Sequence, residues 1–246
     1  MKDLAGKRFF ITGGSRGLGL EICKALLSLQ SHVVTCARSK STSIEKLEQK
    51  FGDNFSFFRA DLSNDDEIQT LIDQAGLVTL PFDGFVANAA IGTDGLLTMM
   101  SKPEIKKALD VNLYSTILLT QAVIKGQLAS QLKGSLVFIS SVCAQSGFKG
   151  LSVYAATKAG LCGFSKNLAR EYGQRGIRSN VVLPGFLETE MTEKLKSNQT
   201  ESIRRRTSLQ RLGRSSDIVQ SVLHLLSDIS SYTTGAEVKI DGGLIG

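Results

Sequence analysis

Two short segments of the chain combine residue types and spacings that can do chemistry. The first, residues 12–19, has the sequence Thr-Gly-Gly-Ser-Arg-Gly-Leu-Gly and follows an apolar run. Three of its glycines, Gly13, Gly17 and Gly19, would let the backbone approach a pyrophosphate with no side chain in the way. A helix that begins at the end of this turn would present unpaired amides and a partial positive charge to the same anion. The spacing therefore predicts a dinucleotide-binding turn between a strand and a helix.

The second segment places a phenol and an ammonium one helical turn apart. Tyr154 and Lys158 are four residues apart in the sequence Tyr-Ala-Ala-Thr-Lys, so on a helix they share one face. Reduction of a ketone needs a proton donor at the developing alkoxide and a group that stabilises its charge. A lysine ammonium about 4 Å from a half-buried tyrosine would favour the phenolate by up to ~4 kcal/mol, roughly three pKa units. We therefore expect Lys158 to lower the pKa of Tyr154.

Four further motifs accompany these two segments. They are the Asn-Ala-Ala segment 88–90, Asn112, Ser141 and the Pro-Gly pair at 184–185. Each motif is weak alone, because glycine-rich turns and Tyr-x-x-x-Lys spacings are common. Together and in this order they resemble the short-chain dehydrogenase/reductase family over essentially all of the 246 residues. The resemblance implies a single domain, residues 1–246, that carries out redox chemistry with a nicotinamide cofactor.

The resemblance also assigns a role to each of four polar side chains. Tyr154 gives a proton to the alkoxide, and Ser141 stabilises the alkoxide charge. Lys158 has a second task, a hydrogen bond to the nicotinamide ribose, and Asn112 holds a water in the proton relay. Taken singly, a tyrosine usually lies in a core or interface, a lysine faces solvent, and an asparagine makes a local hydrogen bond. Because all four occur together, we expect a catalytic set.

The end of the second apolar run indicates which nicotinamide is used. Enzymes that select NAD usually place an acidic residue there, about 20 residues after the glycine turn, to bind the ribose 2′-hydroxyl. No Asp or Glu occurs over residues 22–44. Arg38 follows this run instead, and with Arg16 it could clamp a 2′-phosphate through charge-assisted hydrogen bonds. The pattern favours NADPH, and two solvated arginines are the alternative.

Further cofactor contacts are implied by the resemblance. Asp61 and Leu62 match the pair that holds the adenine, and Thr189 matches the hydroxyl near the carboxamide. Ala90 departs from the family, which usually has glycine there, so the fit to the cofactor is expected to be tighter at that point. The expected cofactor-binding residues are Gly13, Ser15, Arg16, Gly17, Leu18, Gly19, Arg38, Ser39, Asp61, Leu62, Asn88, Ala89, Ala90, Tyr154, Lys158, Pro184, Gly185, Leu187 and Thr189.

Apolar runs alternate with helical patterns along the whole chain. This rhythm predicts an α/β fold with a doubly wound, parallel, seven-stranded sheet of the Rossmann type. Ligands of such sheets sit beyond the carboxyl ends of the strands, and the motifs above each follow a predicted strand. They should therefore lie on one rim. The predicted strands are residues 8–12, 33–37, 55–60, 84–88, 135–140, 179–183 and 237–240.

Length and composition exclude several other classes of protein. No apolar run approaches the roughly 20 residues needed to span a bilayer, so a membrane role is not expected. The first strand begins within ten residues of Met1, which leaves no room for a signal peptide and favours the cytosol. The four cysteines form no C-x-x-C pair, and the two histidines, His32 and His224, have no partner at ligand spacing, so we expect no metal. No G-x-S-x-G elbow indicates a hydrolase.

The net charge of +6 indicates anionic partners. Nucleic acid is not expected, because the aromatic-interleaved basic strands of RNA-binding sheets are absent. Within the family, segments 184–192 and 88–97 look most like those of 3-oxoacyl-[acyl-carrier-protein] reductases. Their acyl carrier protein is acidic, and Arg175 matches a basic residue at which relatives dock it; the arginines at 204–206 could extend that surface. Leu132, however, stands where those reductases tend to carry a second basic residue.

Three alternatives stay open at the level of sequence. The first is an NADPH-dependent reductase of a free ketone, sugar or polyketide-type intermediate. The second is a catalytically idle NADPH-binding interaction protein, against which the intact set of four catalytic side chains argues. The third concerns assembly: in the family, the helices predicted over 103–128 and 153–172 make a four-helix dimer contact and often a tetramer, but they could instead pack inside the subunit. The polar stretch 188–214 resembles a substrate lid, or is a solvated surface excursion.

Overall fold

A seven-stranded parallel sheet runs through the part of the chain that the computed structural model describes, residues 2–188 and 197–245. All seven predicted strands are confirmed, and their ends differ from the prediction by at most one residue. The strands are β1 (Arg8–Thr12), β2 (His32–Ala37), β3 (Phe55–Arg59), β4 (Gly84–Ala87), β5 (Ser135–Ile139), β6 (Arg178–Pro184) and β7 (Glu237–Ile240).

The spatial order of the strands confirms the doubly wound topology. The order is β3-β2-β1-β4-β5-β6-β7, and every neighbouring pair is parallel. The chain runs outward from β1 to one edge, returns to the centre at β4 and runs outward to the other edge. The order therefore reverses between β1 and β4, which opens a crevice at their carboxyl ends.

Eight α-helices of the described residues connect and cover these strands. The helix expected over 103–128 differs from the prediction, because a π-helical turn at Asp110–Tyr114 divides it into two. None of the helices in the described ranges is long and apolar enough to cross a membrane. The helices are α1 (Gly17–Ser28), α2 (Thr42–Phe51), α3 (Asp65–Gln74), α4 (Lys102–Leu109), α5 (Ser115–Ala129), α6 (Ser152–Tyr172), α7 (Ser197–Arg206) and α8 (Ser215–Leu226).

The sheet separates two apolar layers. Side chains of a strand point alternately to its two faces, so Phe9 and Ile11 join the layer under α1 and α8, whereas Phe10 joins the layer under α3, α5 and α6. Both faces of the central strands are therefore buried, which explains why their sequences are continuous apolar runs without polar alternation. In the second layer the ring of Phe85 stacks on Phe10 and meets Phe138 edge-on, at centroid distances of 5.3 and 6.5 Å.

We expect Phe85→Ala to destabilise the fold by about 3–5 kcal/mol, because it removes a fully buried ring from a layer that cannot collapse around the gap. Denaturant unfolding followed by circular dichroism measures the loss. The control is Leu80→Ala, whose side chain is 55% exposed and should change the free energy of unfolding by less than about 1 kcal/mol. Equal effects of the two substitutions would contradict the packing described here.

Candidate active site

The glycine turn lies at the carboxyl end of β1, as predicted, and two kinds of constraint select its glycines. Gly13 and Gly17 have φ angles of +73° and +54°, in the left-handed region that favours glycine. Gly19 is required by space, because a Cβ there would lie 2.3 Å from the carbonyl oxygen of Gly13 and 2.5 Å from Nδ2 of Asn88. The first turn of α1 can therefore pack directly on the end of β1, which leaves the amides of this helix end facing the crevice.

Two of the expected basic side chains stand near this turn. Arg16 is the N-cap residue of α1 and Arg38 follows β2, and both are exposed at the carboxyl edge of the sheet. The hydroxyl of Ser41 donates to the carbonyl of Ser15 (2.9 Å), which ties the segment after β2 to the glycine turn. The sequence missed a third guanidinium, that of Arg59, whose Nε donates to the carbonyl oxygen of Arg38 (3.2 Å). Only the pairing of β2 with β3 brings it there.

Asp61 and Leu62 follow the end of β3 on the same rim. The carboxylate of Asp61 accepts hydrogen bonds from the backbone N–H and the hydroxyl of Ser63, at 2.9 and 2.8 Å. The backbone hydrogen bond is the main cause that lowers the pKa of Asp61, and the nearby charge of Arg38 contributes in the same direction. Asp61 is therefore held as a charged acceptor in a fixed position, next to the buried side chain of Leu62.

The Asn-Ala-Ala segment after β4 is fixed to β1 by one hydroxyl. The Oγ1 of Thr12 accepts from the backbone N–H groups of Asn88 and Ala89, each at 3.0 Å. The side-chain amide of Asn88 in turn donates to the carbonyl oxygens of Thr12 (3.0 Å) and Gly13 (3.3 Å). Thr12 was not singled out from sequence, because a threonine at the end of a strand is ordinary until its neighbours are known. Ala90 follows, half-buried at the same edge.

Lys158 lies in α6, where its side chain is buried and hydrogen-bonded to the main chain. Its side chain is 2% exposed, and its Nζ donates to the carbonyl oxygen of Ile139 at the end of β5 (2.8 Å). The neighbouring Ser140 hydroxyl donates to the carbonyl oxygen of Lys158 itself (2.8 Å). The Nζ lies 5.7 Å from the centroid of the Tyr154 ring. The sequence spacing thus correctly brings the phenol and the ammonium to one face of the helix.

The expected effect of Lys158 on the pKa of Tyr154 is wrong for this structure. Burial raises the pKa of Tyr154 above its ordinary value of 10, and a hydrogen bond with Ser141 acts in the opposite direction without reversing the shift. The physical reason is that the ammonium of Lys158 is directed to the carbonyl of Ile139 rather than to the phenol. Burial also lowers the pKa of Lys158 itself, from 10.5 to about 8.

Asn112 connects the segment after β4 to α6. It lies in the π-helical turn, is fully buried, and exchanges two hydrogen bonds with the backbone of Ile91, at 2.8 Å (Oδ1) and 3.0 Å (Nδ2). Its Nδ2 also donates to the hydroxyl of Thr157 (3.2 Å), which donates to the carbonyl of Tyr154 (2.7 Å). Both amide N–H groups are therefore used within the protein. These contacts position α6, and the water-holding role stays a prediction.

The Pro-Gly pair ends β6 beside β7. The N–H of Gly185 donates to the carbonyl of Ile240 (2.9 Å), and a Cβ at this position would lie 2.8 Å from the Cα of Asp241. Leu187 then forms an isolated bridge with Gly213. The expected carboxamide contact, Thr189, lies outside the described residues, as do residues 190–196 of the expected lid.

Comparison with known proteins identifies the family. A family model described as "Enoyl-(Acyl carrier protein) reductase" matches residues 13–245. The chain is 36% identical over 245 residues to the 3-oxoacyl-[acyl-carrier-protein] reductase FabG of Rickettsia felis, covering 100% of this chain and 99% of that protein. It is 35% identical over 244 residues to nodulation protein G of a Rhizobium species, covering 99% of each.

A solved structure shows the same fold. The chain of 4-hydroxyisoleucine dehydrogenase complexed with NADH matches with a TM-score of 0.92 and 30% identity, over 97% of this chain and 98% of that one. A doubly wound sheet with a glycine turn and a Tyr-x-x-x-Lys helix on one rim defines a class of nicotinamide-dependent oxidoreductases. The chain belongs to the short-chain dehydrogenase/reductase family.

We expect Lys158→Met to stabilise the protein in the absence of cofactor at pH 7. The folded-state pKa of Lys158 is about 8, below its ordinary 10.5, so the unfolded chain binds the proton more tightly. The resulting destabilisation is complete below pH 8 and is lost as the pH rises through 10.5. Denaturant unfolding at pH 7 and pH 10 should therefore show a gain for the variant that shrinks at the higher pH.

The control for this experiment is Lys125→Met, at an exposed position of α5. It should change the free energy of unfolding little and equally at both pH values. A gain for Lys158→Met that does not depend on pH would mean that packing of the methionine, rather than removal of a buried ammonium, causes it.

Proposed function

We propose that this protein is an NADPH-dependent reductase that converts a ketone into a secondary alcohol, with a 3-oxoacyl group on acyl carrier protein as its substrate. The observation that carries the proposal is the convergence of Ser141, Tyr154 and Lys158 at the carboxyl edge of the sheet, on the rim that also holds the glycine turn. Proton donor, alkoxide-stabilising hydroxyl and cation are the groups that ketone reduction requires.

The residues at the edge of the crevice fit a dinucleotide. Gly13, Gly17 and Gly19 leave the end of α1 open to a pyrophosphate, and Asp61 is a fixed acceptor in the adenine region. When bound, the nicotinamide supplies a hydride. The exposed guanidinium of Arg38, with that of Arg16, favours a cofactor that carries a 2′-phosphate. The NADH in the complex of 4-hydroxyisoleucine dehydrogenase is a property of that protein and leaves the selectivity of this chain as a proposal.

The protein groups around the ketone divide the work of reduction. The raised pKa of Tyr154 keeps the phenol protonated at neutral pH, so that it can donate its proton to the alkoxide oxygen as charge develops there. The hydroxyl of Ser141 donates a hydrogen bond to the same oxygen. Lys158, whose Nζ is bound to the carbonyl of Ile139, would hydrogen-bond the nicotinamide ribose, and Asn112 holds the helix that carries Tyr154 and Lys158.

A carrier-linked substrate is supported by the relatives and by the charge of one surface. Arg175 ends the short 3-10 turn after α6 and is exposed. Lys133 lies against the next residue, Gly176, where a Cβ would be 2.7 Å from the Cγ of Lys133. Lys133 thus supplies a basic side chain next to the position where Leu132 departs from the family. The two cations fit an acidic carrier protein, whereas a reductase of free ketones would not need them.

We also propose that the protein forms a homodimer or homotetramer through α5 and α6. Three apolar side chains along the end of the π-helical turn and α5 are partly exposed: Tyr114 at 43%, Ile117 at 37% and Leu128 at 38%. A second copy of the chain would bury them.

We expect Tyr154→Phe to abolish ketone reduction, with a loss of kcat of at least about 100-fold, because it removes the proton donor and little volume. NADPH binding, measured by fluorescence titration, should stay nearly unchanged. Tyr172→Phe, at the opposite end of α6, is the matched control and should retain full activity. Near wild-type turnover of the Tyr154 variant would refute the assignment of the proton donor.

We expect a strong preference for NADPH over NADH, because NADH leaves the two guanidinium groups without a 2′-phosphate. Ala37→Asp combined with Arg38→Leu should reverse this preference. The new carboxylate repels the 2′-phosphate of NADPH and accepts a hydrogen bond from the 2′-hydroxyl of NADH. The ratio of kcat/KM for the two cofactors measures the change. Arg170→Leu, in the last turn of α6 and away from the glycine turn, should leave the ratio unaltered. Equal use of both cofactors by the wild-type protein would contradict the binding of a 2′-phosphate by Arg16 and Arg38.

A further inference from the structure

Two aromatic rings from different segments of the candidate site contact each other. Phe148 lies in the segment between Ser141 and Tyr154, and Phe186 directly follows the Pro-Gly pair that ends β6. Their ring centroids are 5.3 Å apart with an interplanar angle of 69°, an edge-to-face contact. Both residues are only half-buried. The pair therefore forms a partly exposed apolar wall between the segment that joins Ser141 to Tyr154 and the segment that follows β6.

A guanidinium lies against this wall. Arg206 is the last residue of α7, is exposed, and has its guanidinium carbon 5.8 Å from the centroid of the Phe148 ring. The helix end that carries it is anchored by Thr207, which is 4% exposed and whose hydroxyl donates to the carbonyl of Ile203 (2.9 Å). The position of Arg206 at the wall is thus set by a buried neighbour in the chain.

Arg206 lacks the ion pair that two nearby arginines form. Arg205 pairs with a carboxylate at 3.2 Å, and Arg211 pairs with another at 2.7 Å. Within residues 2–188 and 197–245, no carboxylate lies within ion-pair distance of Arg206. A guanidinium held over an aromatic face keeps the N–H groups of its planar edge available, and that edge fits the two oxygens of a carboxylate or phosphate.

We propose that Arg206 binds an anionic group of the substrate, while Phe148 and Phe186 contact the apolar part of the same molecule. The inference rests on the proposed function, and it narrows the substrate to ketones that carry a carboxylate or a phosphate some distance from the carbonyl. Such an anion belongs either to a free keto acid or to the phosphorylated arm through which a carrier protein presents its acyl group. Recognition of either one uses the same charge-assisted hydrogen bonds.

Matched substrate pairs that differ in one charge test this role. The first pair is 3-oxobutyryl-4′-phosphopantetheine and 3-oxobutyryl-pantetheine, and the second is 5-oxohexanoate and its methyl ester. We expect Arg206→Gln to lower kcat/KM for the anionic member of one pair by roughly 10- to 100-fold, through KM, and to change the neutral member less than about twofold. The pair that responds identifies the source of the anion. Arg206→Lys, which keeps the charge but loses the planar fork, should restore part of the loss.

Binding without turnover gives a second measurement. Calorimetric titration measures binding of the two alcohol products, 3-hydroxybutyryl-4′-phosphopantetheine and 5-hydroxyhexanoate. Arg206→Gln should weaken binding of the product that derives from the responding substrate pair, by the same factor as it raises KM. The control is Arg170→Gln, an exposed arginine in the last turn of α6, which should leave both kinetics and binding unchanged. Circular dichroism melts establish that the variants are folded.

Three results would overturn the proposal. An equal loss on anionic and neutral substrates would make Arg206 a structural contact between α7 and Phe148. No loss on either substrate, or the same loss in Arg170→Gln, would show that Arg206 has no specific role in binding the anion. A wild-type protein that reduces neutral ketones with NADPH as well as their anionic partners would contradict the inference and leave the proposed function intact, whereas a wild-type protein that reduces no ketone would refute the proposed function itself.

Discussion

The packing of α1 against the end of β1 is the contact on which the rest of the site depends. No side chain fits at Gly19, because the carbonyl of Gly13 and the amide of Asn88 already occupy the space that its Cβ would need. The same amide donates to the carbonyls at the end of β1, so that β1, β4 and α1 are joined where the strand order reverses. The crevice, the glycine turn and the segment that leads to the catalytic helix all follow from this junction.

Buried polar groups connect this junction to Tyr154 and Lys158. Asn112 and Thr157 connect the segment after β4 to the main chain of Tyr154, and the carbonyl of Ile139 holds Lys158. Each of these buried polar groups has a hydrogen-bond partner, which limits the free-energy cost of burying it. Burial of the Lys158 ammonium nevertheless lowers the free energy of unfolding below pH 8. The side chains of the site are thus held in place before a substrate binds, and the folded protein is less stable as a result.

The strands and the order of the motifs follow from local patterns, and so both could be predicted from sequence. Continuous apolar runs and glycine spacing report backbone geometry directly. The contacts of Thr12, Thr157 and Arg59 could not be found this way, because each depends on which strands and helices become neighbours. The π-helical turn at Asp110–Tyr114 was missed for the same reason, since its sequence continues a helical pattern.

The error about Tyr154 has a related origin. Spacing on a helix places Lys158 near the phenol, but it contains no information about competing acceptors such as the carbonyl of Ile139. The effect of burial on the two pKa values could not be predicted from the sequence either, because the burial of Tyr154 and Lys158 depends on the segments that pack over α6. The pKa of a side chain therefore depends on the tertiary structure, whereas the choice of candidate reacting groups can be made from the sequence.

Following NADPH absorbance with two substrates tests whether the groups on this rim reduce a ketone with NADPH. One is a 3-oxoacyl group on acyl carrier protein, and the other is a small neutral 3-keto ester. We expect NADPH to be consumed only when a ketone is present, with the higher kcat/KM for the carrier-linked substrate. No ketone-dependent oxidation of NADPH with either substrate would mean that these groups do not reduce a ketone.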